Sequence, residues 1–273
     1  MTPRRIVSHV LLVLVALLFM GPLVYAVATS LKPADEVFTP KPDLIGSEVR
    51  WQNYVDAFTF APFATYFLNS LLVAVIGTLV VVVASSLSAY AFARLRFKGR
   101  ESLFVVFLGT LMVPQEVLIV PMYWLMQAFG WVDSFRALIL PWAFTAFGTF
   151  LLRQFFLTVP AELEEAARVD GCGPFGSFLR IMVPLARPAI AVLTVFTFIG
   201  FWGSFLWPLI ITNSVDTKGT VPLGLAQFIG QQGTHWNLMM AASVLAMLPT
   251  VLLVIALQKH LVRGLLVTGL GGR

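Results

Sequence analysis

Read along the chain, apolar residues come in long unbroken runs separated by short polar stretches, at about 6–30, 66–92, 102–128, 135–157, 188–212 and 237–258. A helix needs roughly 20 such residues to cross about 30 Å of hydrocarbon, so each run is long enough to span a membrane once. The runs do not alternate between apolar and polar positions, which argues against the strands of a transmembrane barrel. The expected fold is therefore all-α and integral to the membrane, with six transmembrane helices in a single domain over 1–273. Composition strengthens this reading: 59% of the 273 residues are hydrophobic and only 11% are charged, unlike a soluble domain.

Two of the runs are not uniform. In the third, Pro114, Gln115, Glu116 and Pro121 lie inside an otherwise apolar stretch. Proline frees backbone carbonyls that need other partners, and an ionisable side chain at membrane depth is costly unless it faces protein or water. Gln115 and Glu116 are thus candidates to line a pathway, or else members of a packed, hydrogen-bonded kink. In the fifth run Gly200, Trp202, Gly203, Ser204, Trp207 and Pro208 fall close together. Small residues allow close helix packing, and tryptophan offers either an interfacial anchor or a flat face for a sugar ring. Trp202, Ser204 and Trp207 are the pathway candidates here. The loop at 32–62, with Pro33, Pro40, Pro42 and Pro62, reads as irregular and external, and 213–236 reads as a polar, glycine-containing external loop.

The net charge of +5 changes the picture only through its placement. With both termini on the cytoplasmic side, thirteen of the eighteen basic residues fall inside, among them Arg94, Arg96, Lys98, Arg100, Arg153, Arg168, Arg180 and Arg273. Five fall outside: Lys32, Lys41, Arg50, Arg136 and Lys218. Such a bias sets topology and explains the basic balance with no nucleic-acid partner. Arg4, Arg5, the first apolar run and Ala26-Val27-Ala28 also resemble a cleavable signal peptide, but the run is longer than a usual signal core and reads as an uncleaved first helix.

One cytoplasmic segment, about 158–187, stands out because it gathers charge between two apolar runs. Thr158-Val159-Pro160 has the marks of a helix start, with Glu162, Glu164 and Glu165 where the helix dipole favours negative charge. Gly171 can take the left-handed conformation that ends a helix. Gly173-Pro174 then opens a second short helix that Pro184 stops. Ala166 and Ala167 leave a smooth face for a docking protein, and an amphipathic connector resting on lipid is the other reading of the same pattern.

The spacing Glu165-Ala166-Ala167, three residues, Gly171, nine residues, Ile181, one residue, Val183-Pro184 resembles the EAA loop of permease subunits in bacterial ABC importers. That pattern ends in Leu-Pro where this chain has Val183-Pro184. Further similarities cover most of the chain: Asn69-Ser70 opening the second helix, Ala89 to Leu95 closing it, Met112-Val113-Pro114, and Phe205-Leu206-Trp207-Pro208-Leu209. Together they resemble the carbohydrate-uptake branch, similar to the smaller permease of the maltose importer, although relatives often have Trp-Asn in place of Trp202-Gly203. The resemblance implies a bacterial inner-membrane protein that pairs with a second permease subunit as a heterodimer. It further implies two ATPase subunits and an extracellular solute-binding protein, for a sugar or a glycerol-phosphate compound. Glu165, Ala166, Ala167, Asp170, Gly171 and Pro184 would couple to the ATPase, which would carry the ATP and Mg.

What the sequence lacks points the same way. There is no G-x-x-x-x-G-K-[ST] loop to cradle phosphates, so no cofactor is expected on this chain. A single cysteine, Cys172, and the scattered His9, His235 and His260 supply no metal constellation. No carboxylate pair or Ser/His/Asp set converges on one depth, so no catalytic residues are expected. An ion-coupled secondary transporter is the alternative, with Glu116 its one acidic candidate within the membrane.

Overall fold

A computed structural model describes residues 3–39, 43–230 and 233–269; Pro40, Lys41, Pro42 and Arg273 lie outside the described residues. Among the described residues fifteen α-helices follow one another: α1 Pro3–Ser30, α2 Gln52–Phe60, α3 Phe63–Arg94, α4 Arg100–Gly109, α5 Ile119–Ala128, α6 Phe135–Ile139, α7 Ala146–Thr158, α8 Glu162–Val169, α9 Pro174–Ser177, α10 Val183–Leu185, α11 Arg187–Trp202, α12 Leu206–Ile211, α13 Val215–Lys218, α14 Val221–Ala226 and α15 Trp236–Gly269. Three spans, Val7–Ser30, Phe63–Arg94 and Trp236–His260, are long and apolar enough to cross a membrane. Three bent pairs, Arg100–Met112 with Gln115–Ala128, Phe135–Trp142 with Ala146–Thr158, and Pro174–Leu185 with Arg187–Trp202, bring the number to as many as six.

The bends have local causes. At Val113-Pro114 the backbone is extended and the third span turns by 92°, because proline can neither donate its missing N–H nor leave its predecessor helical. A 46° bend at 143–145 follows Pro141, which sits in a short 3₁₀ turn, Leu140–Trp142. The sequence reading missed it. Pro184 does not stop its helix: the preceding turn widens to a π-helix over Phe178–Met182, the helix runs on through Leu185, and the break comes at Ala186, with a 77° turn. Widening the turn accommodates the proline ring and the carbonyl it leaves unpaired.

Other boundaries also move. The fifth run, expected as one helix over 188–212, stops at Trp202 and resumes as α12. Thr158 is the last residue of α7 and its hydroxyl donates to the Phe155 carbonyl, so α8 starts later, at Glu162, with Ala161 as a cap that has no side-chain bond. Asn69 lies well inside α3 instead of opening it.

The single domain read from the sequence divides into two compact units, residues 1–67 with 221–248 and residues 68–220 with 249–273. In the first, the loop expected to be irregular contains α2. Buried Asn53 fixes that helix: its Nδ2 donates to the Ser30 and Lys32 carbonyls, each at 2.8 Å, and its Oδ1 accepts from Asn237 Nδ2 at 3.1 Å. A two-stranded antiparallel hairpin, β1 Ile229–Gly230 and β2 Gly233–Thr234, pairs Ile229 with Thr234. Phe228 beside it is fully buried and stacks on Phe60 with centroids 5.1 Å apart.

The second unit holds two apolar clusters. One joins Tyr90, Leu152, Phe156, Phe178, Met182 and Leu193, and the other joins Val73, Met126, Leu138, Trp207 and Ile211. Close approach of the helices depends on small residues, as is usual where lipid supplies no hydrophobic drive for helix association. A Cβ on Gly77 would lie 2.7 Å from the Phe201 ring, and one on Gly148 would lie 2.4 Å from Ser85 Oγ. Gly200, expected to serve such packing, instead has nothing within 4 Å of where its Cβ would be.

Candidate functional site

Three features of the second unit bear on function, beginning with a cavity of about 510 Å³. The bend at Pro114 turns Gln115 and Glu116 into its wall, the end of α11 contributes Thr197, Gly200 and Phe201, Ser204 follows just beyond it, and Trp142, Thr145 and Trp207 complete much of the lining. Glu116 is the one charged residue among the lining residues. Trp142 and Trp207 meet edge to face, centroids 5.6 Å apart. Trp207 Nε1 donates to the Ala137 carbonyl at 2.8 Å, so the ring is oriented and almost wholly buried. The structure thus brings together Gln115, Glu116, Ser204 and Trp207 of the residues singled out from sequence. It places Trp202 elsewhere: that ring is buried and stacks on Phe198 at 5.7 Å. An α-helical residue four positions from its neighbour shares its face, so Trp202 follows Phe198 into the core.

The second feature is α8. Three glutamates occupy its first turn and Arg168 its last, each at the helix end its charge favours. Gly171 has φ +81°, Gly171 N–H donates to the Arg168 carbonyl at 3.0 Å, and Cys172 N–H to that of Ala167 at 2.8 Å. This is a Schellman cap, and it requires a residue without a Cβ penalty at the left-handed position. Leu163, Glu165, Ala166, Val169 and Asp170 are exposed, with Ala167 half-buried and Val169 89% accessible. Pro184 is half-buried beyond the π-helical turn.

Sequence reasoning missed the residues that hold α8 from beneath. Glu164 is buried, with one oxygen 2.9 Å from Arg94 Nε and the other accepting from the Tyr90 hydroxyl at 2.9 Å. In the sequence Tyr90 stands out only within the similar stretch closing the second helix, and Arg94 only there and among the inside basic residues. Their i, i+4 spacing puts both on one helix face, and this was the available signal.

The third feature ties two loops together. Asp133, a non-glycine residue at φ 58°, accepts at Oδ1 from the backbone N–H of Asn213 and Ser214 and at Oδ2 from Ser214 Oγ and Lys218 Nζ, the last two at 2.8 Å. Asn69 Nδ2 steadies the same loop by donating to the Thr217 and Gly219 carbonyls, both at 3.0 Å. The Lys218 ammonium, then the backbone N–H of Ser214, hold the Asp133 carboxyl well below the usual carboxylate range. A depressed folded-state value means the stabilisation is fully present above the unfolded value near 4 and is lost as pH falls through the folded one. Asn tolerates the left-handed backbone, so Asp133→Asn removes the charge alone. In detergent it is expected to melt about 2 °C below the parent at pH 7, the gap staying constant down to about pH 5 and closing below about pH 4. Thermal unfolding across that series checks the assignment.

Three long apolar helices, or up to six spans with the bent pairs, place the chain in the class of helical membrane proteins. The chain belongs to the family of binding-protein-dependent transport system inner membrane components, whose family model matches residues 81–267. It is similar to the arabinooligosaccharides transport system permease protein AraQ of Bacillus subtilis, 32% identical over 271 residues, covering 98% of this chain and 96% of that one. It is also similar to the sn-glycerol-3-phosphate transport system permease protein UgpE of Agrobacterium fabrum, 35% identical over 273 residues, covering 97% and 96%. Among solved structures, one chain of a bacterial ABC transporter involved in the import of the acidic polysaccharide alginate shares the fold. Its TM-score is 0.82 at 22% identity, over 94% of this chain and 95% of that one. The family resemblance read from the sequence therefore holds, as does the multi-pass inner-membrane class.

Proposed function

We propose that this permease forms one half of the translocation pathway of an ATP-driven importer for a sugar or a related glycerol-phosphate compound, the sugar being favoured. A second permease subunit would supply the other half, an external binding protein would deliver substrate, and two ATPase subunits would dock on α8 and its counterpart on the partner permease. The observation that carries this reading is α8 itself. It is a short helix closed by Gly171, and Leu163, Ala166 and Val169 lie bare along it. Three apolar side chains at successive three-residue spacing form one stripe on the exposed helix, the kind of surface a partner protein covers.

In this reading Glu165, Ala166, Ala167, Asp170 and Gly171 meet the ATPase, and Pro184 shapes the turn that returns the chain to α11. The ATP and Mg belong to the ATPase subunits. The cavity would carry substrate past Gln115, Glu116 and Ser204, with the half-buried Trp142 ring presenting an apolar face to sugar rings and the buried Trp207 ring holding it in place. Both named substrate classes of the relatives, arabinooligosaccharides and sn-glycerol-3-phosphate, are to be tried as substrates.

The test is purification of the chain with whatever binds it in a mild detergent, followed by reconstitution into vesicles. An ATPase, a second permease and a binding protein should be recovered in fixed ratio, and uptake should require ATP on the α8 side. Uptake driven by an ion gradient without ATP would overturn the proposal. Gly171→Val adds a sharper check, because a β-branched residue at φ +81° costs on the order of 1–3 kcal/mol of backbone strain and must unwind the end of α8. Substrate-stimulated ATP hydrolysis should fall at least about 10-fold. Normal stimulation in this variant would count against α8 as the docking element.

A further inference from the structure

Glu164 differs from every other acidic residue of the 158–187 segment in being buried, while Glu162, Glu165 and Asp170 are exposed. Both of its oxygens are used, one 2.9 Å from Arg94 Nε and one bonded to the Tyr90 hydroxyl at 2.9 Å. The same two partners reach further. Arg94 Nη2 donates to the carbonyls of Phe156, at 2.8 Å, and Val159, which lie at and just past the end of α7. The Tyr90 hydroxyl also lies 3.0 Å from the carbonyl of Pro174, the first residue of α9. The Tyr90 ring packs against Phe178 at 5.2 Å and Phe156 at 6.3 Å. One tyrosine and one arginine, a single turn apart at the end of α3, therefore touch the end of α7, the buried side of α8 and the start of α9.

We infer that Tyr90 and Arg94 form a latch that fixes α8 to the end of α3, so that a push on the exposed side of α8 moves the long helix with it. This rests on the reading of α8 as the element an ATPase contacts. The chain on either side of α8 would not transmit such a push. On the carboxyl side it passes through Gly171 and Gly173, and on the amino side through Val159-Pro160-Ala161, which is not helical. A helix held by those linkers alone pivots, and its displacement is spent in the linkers. Glu164 turns it into a lever. An ion pair this well enclosed resists reorientation, since both charges would have to find new partners before either could leave. Tyr90, Arg94 and Glu164 are thus positioning residues that touch neither substrate nor nucleotide.

The experiment uses the complete complex in vesicles with ATP supplied to the α8 side, and reads sugar transported per ATP hydrolysed. A residue that served only to hold the fold would lower uptake and hydrolysis together and leave that ratio in place. Glu164→Gln keeps shape and the tyrosine contact but removes the charge, and Tyr90→Phe removes only the hydroxyl. Each should lower the ratio, Glu164→Gln by about 10-fold. In a background with Cys172→Ser, Arg94→Cys with Glu164→Cys should be equally uncoupled. A reducible bis-methanethiosulfonate spacer joining the two thiols should restore the ratio to within about 3-fold of the parent, and dithiothreitol should abolish the rescue. Parent-like ratios in Glu164→Gln and Tyr90→Phe, or no recovery on cross-linking, overturn the latch. Parent complex that shows no ATP-driven uptake overturns the docking reading first, and the latch with it.

Discussion

Gly148→Leu is expected to abolish recovery of a monodisperse, folded protein. Gly148 lies where α7 crosses α3 and α11, and a Cβ there would stand 3.0 Å from Ser85 Cβ and 3.1 Å from Leu193 Cδ1, as well as 2.4 Å from Ser85 Oγ. The hydroxyl can rotate away, but the Ser85 Cβ is fixed by the α3 backbone and Leu193 is fully buried with no space to retreat into. The helices must separate to admit a leucine, breaking the contacts of Leu152, Phe156 and Met182 in the same cluster. Overpacking of this kind typically costs about 1–3 kcal/mol. Size-exclusion chromatography in detergent reports the outcome. Gly148→Ala, which needs the Ser85 hydroxyl to rotate away and Ser85 Cβ and Leu193 to yield by a few tenths of an ångström, should fall between leucine and the parent. A leucine variant that elutes and melts like the parent would show that the three helices do not cross as described.

Trp207→Ala should be the second large loss, about 3–5 kcal/mol, because it empties a nearly closed site and leaves the Ala137 carbonyl without its donor. The Trp207 ring sits among Val73, Leu138 and Ile211 and holds Trp142 edge to face, so removing it also collapses part of the cavity wall. Trp207→Phe separates the two contributions. It keeps an aromatic ring and loses the hydrogen bond, worth about 1 kcal/mol net. Thermal unfolding should rank parent, Phe and Ala in that order with the larger step at alanine, and ATP-dependent uptake should follow the same ranking. Equal melting of the alanine variant and the parent would remove Trp207 from the core and return it to the role of a free stacking surface.

Much of this architecture was legible in the chain itself. Six apolar runs marked the spans, Pro114 marked a break in the third, and Gly171 marked the end of α8 because few other residues tolerate that backbone. The family pattern around Glu165, Ala166 and Ala167 was visible as spacing alone. Breaks at 143–145 and 203–205 were not, although Pro141 and Gly203-Ser204 stand beside them, since proline and glycine also occur inside continuous membrane helices. Helix propensity and hydropathy are blind there to the packing that decides whether a turn continues. The helical stretch Gln52–Phe60 was hidden for the opposite reason. It is short and lies in a proline-bounded loop, and its order comes from Asn53 bonding carbonyls more than twenty residues away.

What the sequence determined by itself is the set of properties that depend on neighbours along one chain: which segments are apolar enough to cross lipid, where proline and glycine interrupt them, which residues share a helix face. Tertiary structure alone decided which of those faces meet. It turned Gln115, Glu116, Ser204 and Trp207 toward one cavity and sent Trp202 into the core. It also chose Glu164 over Glu165 as the buried carboxylate, by pairing it with Tyr90 across 74 positions, as it paired Trp207 with Ala137 across 70. The reason is physical. Burial of a charge is tolerated only where a partner is already waiting, and no spacing along the chain reveals a partner brought there by the folding of four other helices.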